Sequence, residues 1–435
     1  MGLMKLKKSE LEKIKPEKLV IGGINKMLRV FIVKLSEELK KSGNVTQIFL
    51  GGSFAKGTLI KKEKYDIDLY VRFDWRYDNI SEILEKPLKN SVNALKFKYE
   101  KIHGSRDYFR VYPNETGFYI EVIPVTKINK PQVARNVTDL SYFHVSYVKR
   151  NIRGLEDEVR IAKRFLQAQK VYGAESYVHG FSGYAVECLI IYYKSFEKML
   201  KALIKVKSGE RLVIDIKKHY KRKNVFFDMN ENKLHSPVIL VDPTFKERNV
   251  LASLSFESFD KFQKVAFSFL KKPSSSFFVE KSTDVEKMKT EAKKKKGEFL
   301  KIIIETDRQE GDIAGTKLKK FSLFIEKELN KYFKIIHREF EYFDKKSADL
   351  LLVIKSLKRI ERIGPPTKFS GKRKRHFMES HIEAFKKEHE KTYEKSGFLR
   401  AEIKIDFTAS EFLKDWSKKN KAKMSEMGIV SMGVA

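Results

Sequence analysis

The chain has 435 residues, with 90 Lys and Arg against 57 Asp and Glu and a formal charge of +33 at neutral pH; at roughly 100 to 200 residues per domain it holds two to four domains. With 42% hydrophobic and 12% aromatic residues it is neither a disordered basic tail nor a small disulfide-stapled scaffold. The charge excess calls for a polyanionic partner, nucleic acid first and an anionic membrane second. The single cysteine, Cys188, sits in the apolar run ECLIIYY, which leaves no disulfide framework or cysteine-based zinc site and points to a reducing compartment. No apolar run approaches the ~18 residues of a membrane span. The charged N-terminus MGLMKLKKSELEKIK lacks the apolar core of a secretory signal, so a cytoplasmic protein without a membrane partner is expected.

Leu19, Ile24, Met27, Leu28, Phe31, Ile32, Leu35 and Leu39 recur at helical spacing, and Gly43 is placed to stop that helix. Val45 to Leu50 then reads as a buried strand running into Gly51, Gly52 and Ser53. Asp66 to Val71 alternates polar with apolar, so Asp66, Asp68 and Tyr70 share one strand face and Ile67, Leu69 and Val71 the other. DYFRVYP and FYIEVIPV, flanking PNETG, predict two strands joined by a turn, with Glu121 in the second. From about Glu156 to Leu270 the pattern is mostly helical, with Ser182 as a cap for the middle helix. Pro273 and the serines after it mark a domain boundary.

Beyond it, FLKIIIET, a helix from about Lys317 to Tyr332, FKIIHREFEYF and ADLLLVIKSL give the order β, α, β, β, which fits a ferredoxin-like α+β body. Gly364, Pro365 and Pro366 lead into the basic run GKRKRH and a long charged helix, HIEAFKKEHEKTYEKSG. The lysine-rich clusters at Lys293 to Lys296, Lys218 to Lys223 and Lys372 to His376 are each weak signals, since charge runs are usually solvated. Together with Phe340, Tyr342 and Phe343 they favour an RNA-binding surface.

The sharpest feature is the strand ending in GGS, followed thirteen residues after Ser53 by Asp66 and Asp68. Two carboxylates at i and i+2 on one strand face lie about 7 Å apart and suit hard divalent cations such as Mg²⁺, which completes its shell with phosphates and water. Gly51 and Gly52 allow close backbone approach, and the turn after them, with the Ser53 hydroxyl, suits a β/γ-phosphate. A third carboxylate from a neighbouring strand would complete a two-metal site. Glu121 is the candidate.

GGSFAKGTLIKKEKYDIDLYVRF resembles the nucleotidyltransferase motif of the DNA polymerase β superfamily. YFHVSYVK, DEVRIAKRFLQAQKVYGAESYVHGFSGYAVECLI and VDPTFKERNVLASLS resemble the archaeal class I CCA-adding enzymes, tRNA nucleotidyltransferases. The resemblance is strong from about residue 45 to 280 and weaker beyond. It implies a multidomain α+β protein: a polymerase β-like catalytic head over 1–150 and a helical neck over 151–272 that binds the nucleotide base and the RNA end. A ferredoxin-like body over 273–360 and a basic helical tail over 361–435 would complete the tRNA-binding surface. The implied activity is template-independent addition of the 3′-terminal CCA from CTP and ATP, with Mg²⁺, or Mn²⁺ as an alternative, and with the tRNA acceptor stem and TΨC arm as partners. Oligomeric state stays open, a homodimer included.

The resemblance also implies that Asp66 and Asp68 ligate metal, that Gly52, Ser53 and Lys56 serve the phosphates, and that His144, Lys163 and Tyr172 contact triphosphate and sugar with Ser141 nearby. Arg248 matches the base-contacting arginine, with Asp242 and Asn249 in the same stretch. Two positions depart from the pattern. Glu121 stands where an aspartate is expected, with Asp107 and Glu115 as alternatives, and Lys56 replaces an arginine fork by a point charge. The alternatives are a related RNA-terminal transferase adding only A or part of CCA, and a tRNA-binding protein with a degenerate transferase head.

Overall fold

A computed structural model describes residues 2–114, 116–221, 224–280, 282–343, 345–367, 372–389 and 391–435. Glu115, Arg222 and Lys223 fall outside the described residues, as do the side chains of the GKRKRH run. The chain forms two compact units, 1–281 and 282–435.

In the first unit, α1 (Leu3–Ile14) and α2 (Lys18–Lys41) precede β1 (Thr46–Leu50), α3 (Gly52–Ala55), β2 (Tyr65–Phe73), α4 (Ile80–Ala94), β3 (Lys98–Ile102), β4 (Tyr108–Tyr112) and β5 (Phe118–Thr126). The strands make one sheet in the order β1-β2-β5-β4-β3, antiparallel except for the β2–β5 pair. Period-2 alternation decides its two faces. Ile67, Leu69 and Val71 of β2 and Ile120 and Val122 of β5 are fully buried with Phe31 and Leu35 of α2 and Leu84 and Leu88 of α4, each side chain contributing about 1.5 to 3 kcal/mol. The intervening residues, Asp66, Asp68, Tyr119 and Glu121, are left on the opposite face. Two sequence expectations fail here. Leu19 is 88% exposed and lies outside the helix's apolar face, and β1, an edge strand, is half-buried with Val45 exposed just before it.

The same unit continues through α5 (Ser141–Asn151), α6 (Glu156–Ala168), α7 (Gly183–Tyr193) and α8 (Phe196–Leu203). Ser182 caps α7, accepting a bond from the Ala185 amide at 3.2 Å. The stretch expected to stay helical then turns to strand. β6 (Leu212–Asp215), the short α9 (Val225–Asp228), β7 (Val238–Asp242) and β8 (Phe245–Asn249) put a three-stranded sheet before α10 (Phe256–Lys271). Phe165, Phe196, Phe269 and Phe278 form one aromatic core. Phe278 belongs to it, so the chain past Pro273 is still part of this unit.

The second unit holds α11 (Val285–Lys294), β9 (Glu298–Glu305), α12 (Asp312–Leu329), β10 (Phe333–Tyr342) and β11 (Ser347–Ser356). It continues with β12 (Arg359–Pro366), α13 (Lys372–Glu388), β13 (Thr392–Lys395), β14 (Phe398–Lys404), α14 (Ala409–Lys419), α15 (Lys421–Glu426) and β15 (Ser431–Val434). The expected β, α, β, β order is present, and the last residues complete it, because β15 pairs with β9 to give the order β10-β11-β9-β15. That is the strand order of a β-α-β-β-α-β sandwich, with the β12-β14-β13 sheet inserted. The final segment is therefore basic but not helical throughout, since it alternates helices with strands and its last strand joins the body's sheet. TYEK, read as helix, is β13, and Leu413, Trp416 and Met424 are buried with Phe321 and Ile325 in the body's core. Among the described residues no helix is long and apolar enough to cross a membrane.

Candidate active site

Parallel pairing of β2 with β5 sets Asp66 opposite Tyr119 and Asp68 opposite Glu121. Three carboxylates therefore share one sheet face at the carboxyl side of β1. Asp68 is half-buried, and its carboxyl is pushed up to about 7, by burial first and then by Glu121 and Asp66. Burial also raises Glu121, against the opposing pull of Arg110. Cations hold two of the acids aside: Lys62 Nζ donates to Asp66 Oδ1 at 2.6 Å and Arg110 Nε to Glu121 Oε1 at 2.9 Å. Accordingly, among the described residues no three acidic, cysteine or histidine side chains converge as a metal-binding group in this arrangement. The donor chemistry nevertheless fits a hard divalent cation, since a crowded, underneutralised set of carboxylate oxygens is what such an ion relieves. Asp107, the other alternative for the third acid, is engaged with His103 and Lys101 instead.

Gly52 explains why glycine precedes Ser53. Its φ is +59, and a Cβ there would stand 1.6 Å from Asp68 Oδ2. Gly52 therefore admits the acid, and Gly51, whose Cβ would meet the Tyr70 ring at 2.2 Å, admits that tyrosine. Ser53 is tied to the following loop, its carbonyl accepting from the Thr58 amide at 2.9 Å. Ser141 opens α5 beside the Tyr70 hydroxyl.

Lys56, at the end of α3, and Lys163, on α6, converge on one carboxylate that the sequence reading missed. Lys56 Nζ donates to Glu187 Oε2 at 2.6 Å and Lys163 Nζ to Glu187 Oε1 at 2.9 Å. Thr58 Oγ1 donates to Glu187 at 2.9 Å and accepts from Lys163 at 3.1 Å. Glu187 is completely buried. Burial alone would raise its carboxyl, but Lys163 and Lys56 outweigh it and bring it to about 2. Tyr172 joins this cluster: a Cβ on Gly183 would lie 2.8 Å from its hydroxyl and 3.9 Å from Lys163 Cε. An acid inside GYAVECLIIYY, an otherwise apolar helix, was the available signal, because a buried charge needs a partner.

A second buried carboxylate organises the rest. Asp242, at the end of β7, accepts from Arg248 Nη1 at 2.8 Å, from Tyr184 Oη at 3.0 Å and from the Thr244 amide and hydroxyl, both at 2.8 Å, and faces His144 Nε2 at 3.0 Å. Burial pushes Asp242 up, yet these partners, His144 first, hold it well below the usual carboxylate range. Burial lowers His144 in spite of Asp242, and its ring stacks on Tyr184 at 4.1 Å. Arg248 uses one nitrogen on Asp242 and keeps further N–H donors. Asn249, by contrast, is saturated: Oδ1 accepts from the Leu240 and Leu251 amides, and Nδ2 donates to Lys233 and Ser236. Its role is to fix the β7–β8 hairpin that carries Arg248. Lys56 is felt electrostatically by Asp68, His144, Tyr172 and Glu187 alike, which links the acids to both clusters.

Residues 32–141 match the nucleotidyltransferase domain family, and residues 157–279 match the second domain of tRNA nucleotidyltransferases. A CCA-adding enzyme of Nanoarchaeum equitans is 35% identical over 82% of this chain and 85% of its own. One of Methanosarcina mazei is 29% identical over 88% of this chain and 81% of its own. A solved RNA terminal uridylyl transferase, Cid1, is 14% identical over 64% of this chain and 98% of its own, at a TM-score of 0.48. With its two matched domains and a likeness to the Nanoarchaeum protein that spans most of both chains, the chain belongs to the family of CCA-adding enzymes, the tRNA nucleotidyltransferases.

Proposed function

We propose that this chain adds CCA to the tRNA 3′ end with Asp66, Asp68 and Glu121 holding divalent cations, Mg²⁺ or Mn²⁺. Bound there, such ions would lower the proton affinity of the attacking 3′-hydroxyl and offset charge on the leaving pyrophosphate. The 3′-hydroxyl releases its proton to solvent as its oxygen bonds to the α-phosphorus of CTP or ATP, the bond to the bridging α–β oxygen breaks, and pyrophosphate departs. Ser53, Lys56, Lys163 and Tyr172 hold the triphosphate, with His144 and Ser141 beside the sugar. Arg248, braced by Asp242, presents its remaining donors to the acceptor edge of cytosine or adenine. Basic and aromatic residues of the second unit bind the acceptor stem and TΨC arm through A-form shape and backbone.

The observation that carries this reading is the register that sets Asp68 against Glu121, with a left-handed glycine admitting Asp68. Likeness to CCA-adding enzymes over most of both chains supports complete CCA addition over an A-only transferase or a degenerate head. The test is a single-turnover assay with tRNA lacking CCA, labelled CTP and ATP, and Mg²⁺ or Mn²⁺. Ordered gain of two C and one A is expected, and Asp68→Ala abolishes it while tRNA binding persists. Full turnover by that variant would overturn the metal assignment.

A further inference from the structure

We infer that Glu187 is a positioning residue for the nucleotide triphosphate, aiming Lys56 and Lys163 from one buried carboxylate. This rests on the reading that both lysines contact phosphates. Glu187 is 0% exposed, Lys163 4% and Lys56 11%. Two ammonium groups share one carboxylate, so each is only half matched by Glu187, and Lys56 also acts on Asp68. An arrangement with more ammonium than its own carboxylate needs suits a polyanion entering beside it.

The bond count points the same way. Each ammonium has three N–H donors. Lys163 spends two, on Glu187 and Thr58, and Lys56 spends one, on Glu187. Donors therefore remain on both lysines, with their directions set by bonds already made. Thr58 couples this hub to the GGS loop, because its amide donates to the Ser53 carbonyl while its hydroxyl donates to Glu187. Triphosphate held by the Ser53 turn and by the lysines thus meets one preset frame, which avoids ordering two long side chains at the moment of binding. Gly183 leaves room for Tyr172 beside Lys163, since a Cβ there would press on the Tyr172 hydroxyl at 2.8 Å.

The charged and titratable groups facing Glu187 are Lys56 at the end of α3, Lys163 on α6 and Tyr172 before α7, with Cys188 adjacent on its own helix. Removing the carboxylate leaves Lys163 and Lys56 without the acceptor that fixes their direction. The test measures KM and kcat for CTP and for ATP on tRNA lacking its CCA. Glu187→Gln, nearly isosteric, is expected to raise both nucleotide KM values roughly tenfold or more, with a smaller change in kcat and an unchanged KM for tRNA. Lys56→Met and Lys163→Met, run in parallel, raise the same KM values. If the lysine variants raise KM and Glu187→Gln leaves it unchanged, the positioning role is overturned while the phosphate reading stands. Unchanged KM in the lysine variants overturns the phosphate reading, and this inference with it. Should Glu187→Gln fail to fold, Glu187→Asp keeps the charge but withdraws it by one methylene. A severalfold rise in nucleotide KM with Glu187→Asp supports the role, and wild-type KM overturns it.

Discussion

Replacing Gly52 by alanine tests the catalytic face by geometry alone. The new Cβ would lie 1.6 Å from Asp68 Oδ2 and 2.6 Å from its Cγ, whereas carbon and oxygen in contact sit about 3.3 Å apart. Asp68 or the loop must therefore shift by about 1.7 Å, and a misplacement near 1 Å already costs on the order of 100-fold in rate. The φ of +59 adds about 1 to 2 kcal/mol of backbone strain for alanine. Gly57→Ala separates the two effects: its φ is +67 and its Cβ would meet nothing nearer than Glu156 Cγ at 3.8 Å, so it carries the backbone cost alone. In single-turnover CMP incorporation, Gly52→Ala should lose about 100-fold or more in rate with tRNA binding intact. Gly57→Ala should lose a comparable amount of stability in urea denaturation and little rate. Equal rate losses in the two variants would refute the idea that Asp68 needs the space over Gly52.

Asp242→Asn removes the charge bracing Arg248 and His144; nucleotide KM should rise roughly tenfold and stability fall by about 3 kcal/mol, and wild-type KM in a folded variant would contradict the role given to Asp242. Glu187 sits at about 2 in the folded protein against 4.5 as its ordinary value, so its stabilisation is fully present above pH 4.5 and is lost as pH falls toward 2. At 1.36 kcal/mol per unit that is about 3 kcal/mol, and urea midpoints at successively lower pH should show Glu187→Gln missing this part of the acid sensitivity. For a chain of charge +33, tRNA affinity should drop by more than about tenfold between ~50 and 200 mM salt; a flat dependence would argue against a phosphate-reading surface.

The acids were legible because strand periodicity is local: alternation in DIDLYV and in YIEVIP fixes which residues share a face without any knowledge of the fold. Lys56, Lys163, Tyr172 and Arg248 were reachable through the family resemblance only, since a lysine on an amphipathic helix carries no local mark of function. Glu187 carried a local mark, a lone acid in an apolar helix, but its role, like those of Arg110 and Thr58, needed the tertiary structure. Their partners lie far off in sequence or across strands, and only the packed sheet and the α6–α7 pair bring them together. The β6–β8 sheet was missed because its strands are four or five residues long, too short for a period to show against the helices around it. The last strand, β15, is equally short, and its pairing with β9 is a long-range contact that local pattern does not carry.

Glu121, the proposed third acid, is the most informative departure from the pattern that the resemblance implies, and Arg110 changes its meaning. A glutamate replacing an aspartate beside metal would ordinarily intrude by one methylene. Here β4 places Arg110 directly opposite Glu121 in register, and the guanidinium holds the carboxylate at 2.9 Å, so the longer side chain has a partner built for its reach. Tyr108, which accepts from Arg110 Nη2 at 3.5 Å, orients that guanidinium in turn. On the proposed metal reading, a pocket of this construction is tuned to glutamate. Glu121→Asp should therefore lower the single-turnover rate by about tenfold or more, because the shortened carboxylate gives up the charge-assisted bond to Arg110. Arg110→Gln should lower it as well, by leaving Glu121 without the partner that sets its position. A large gain in rate with Glu121→Asp would show instead that glutamate compromises the site and that Arg110 merely compensates for it.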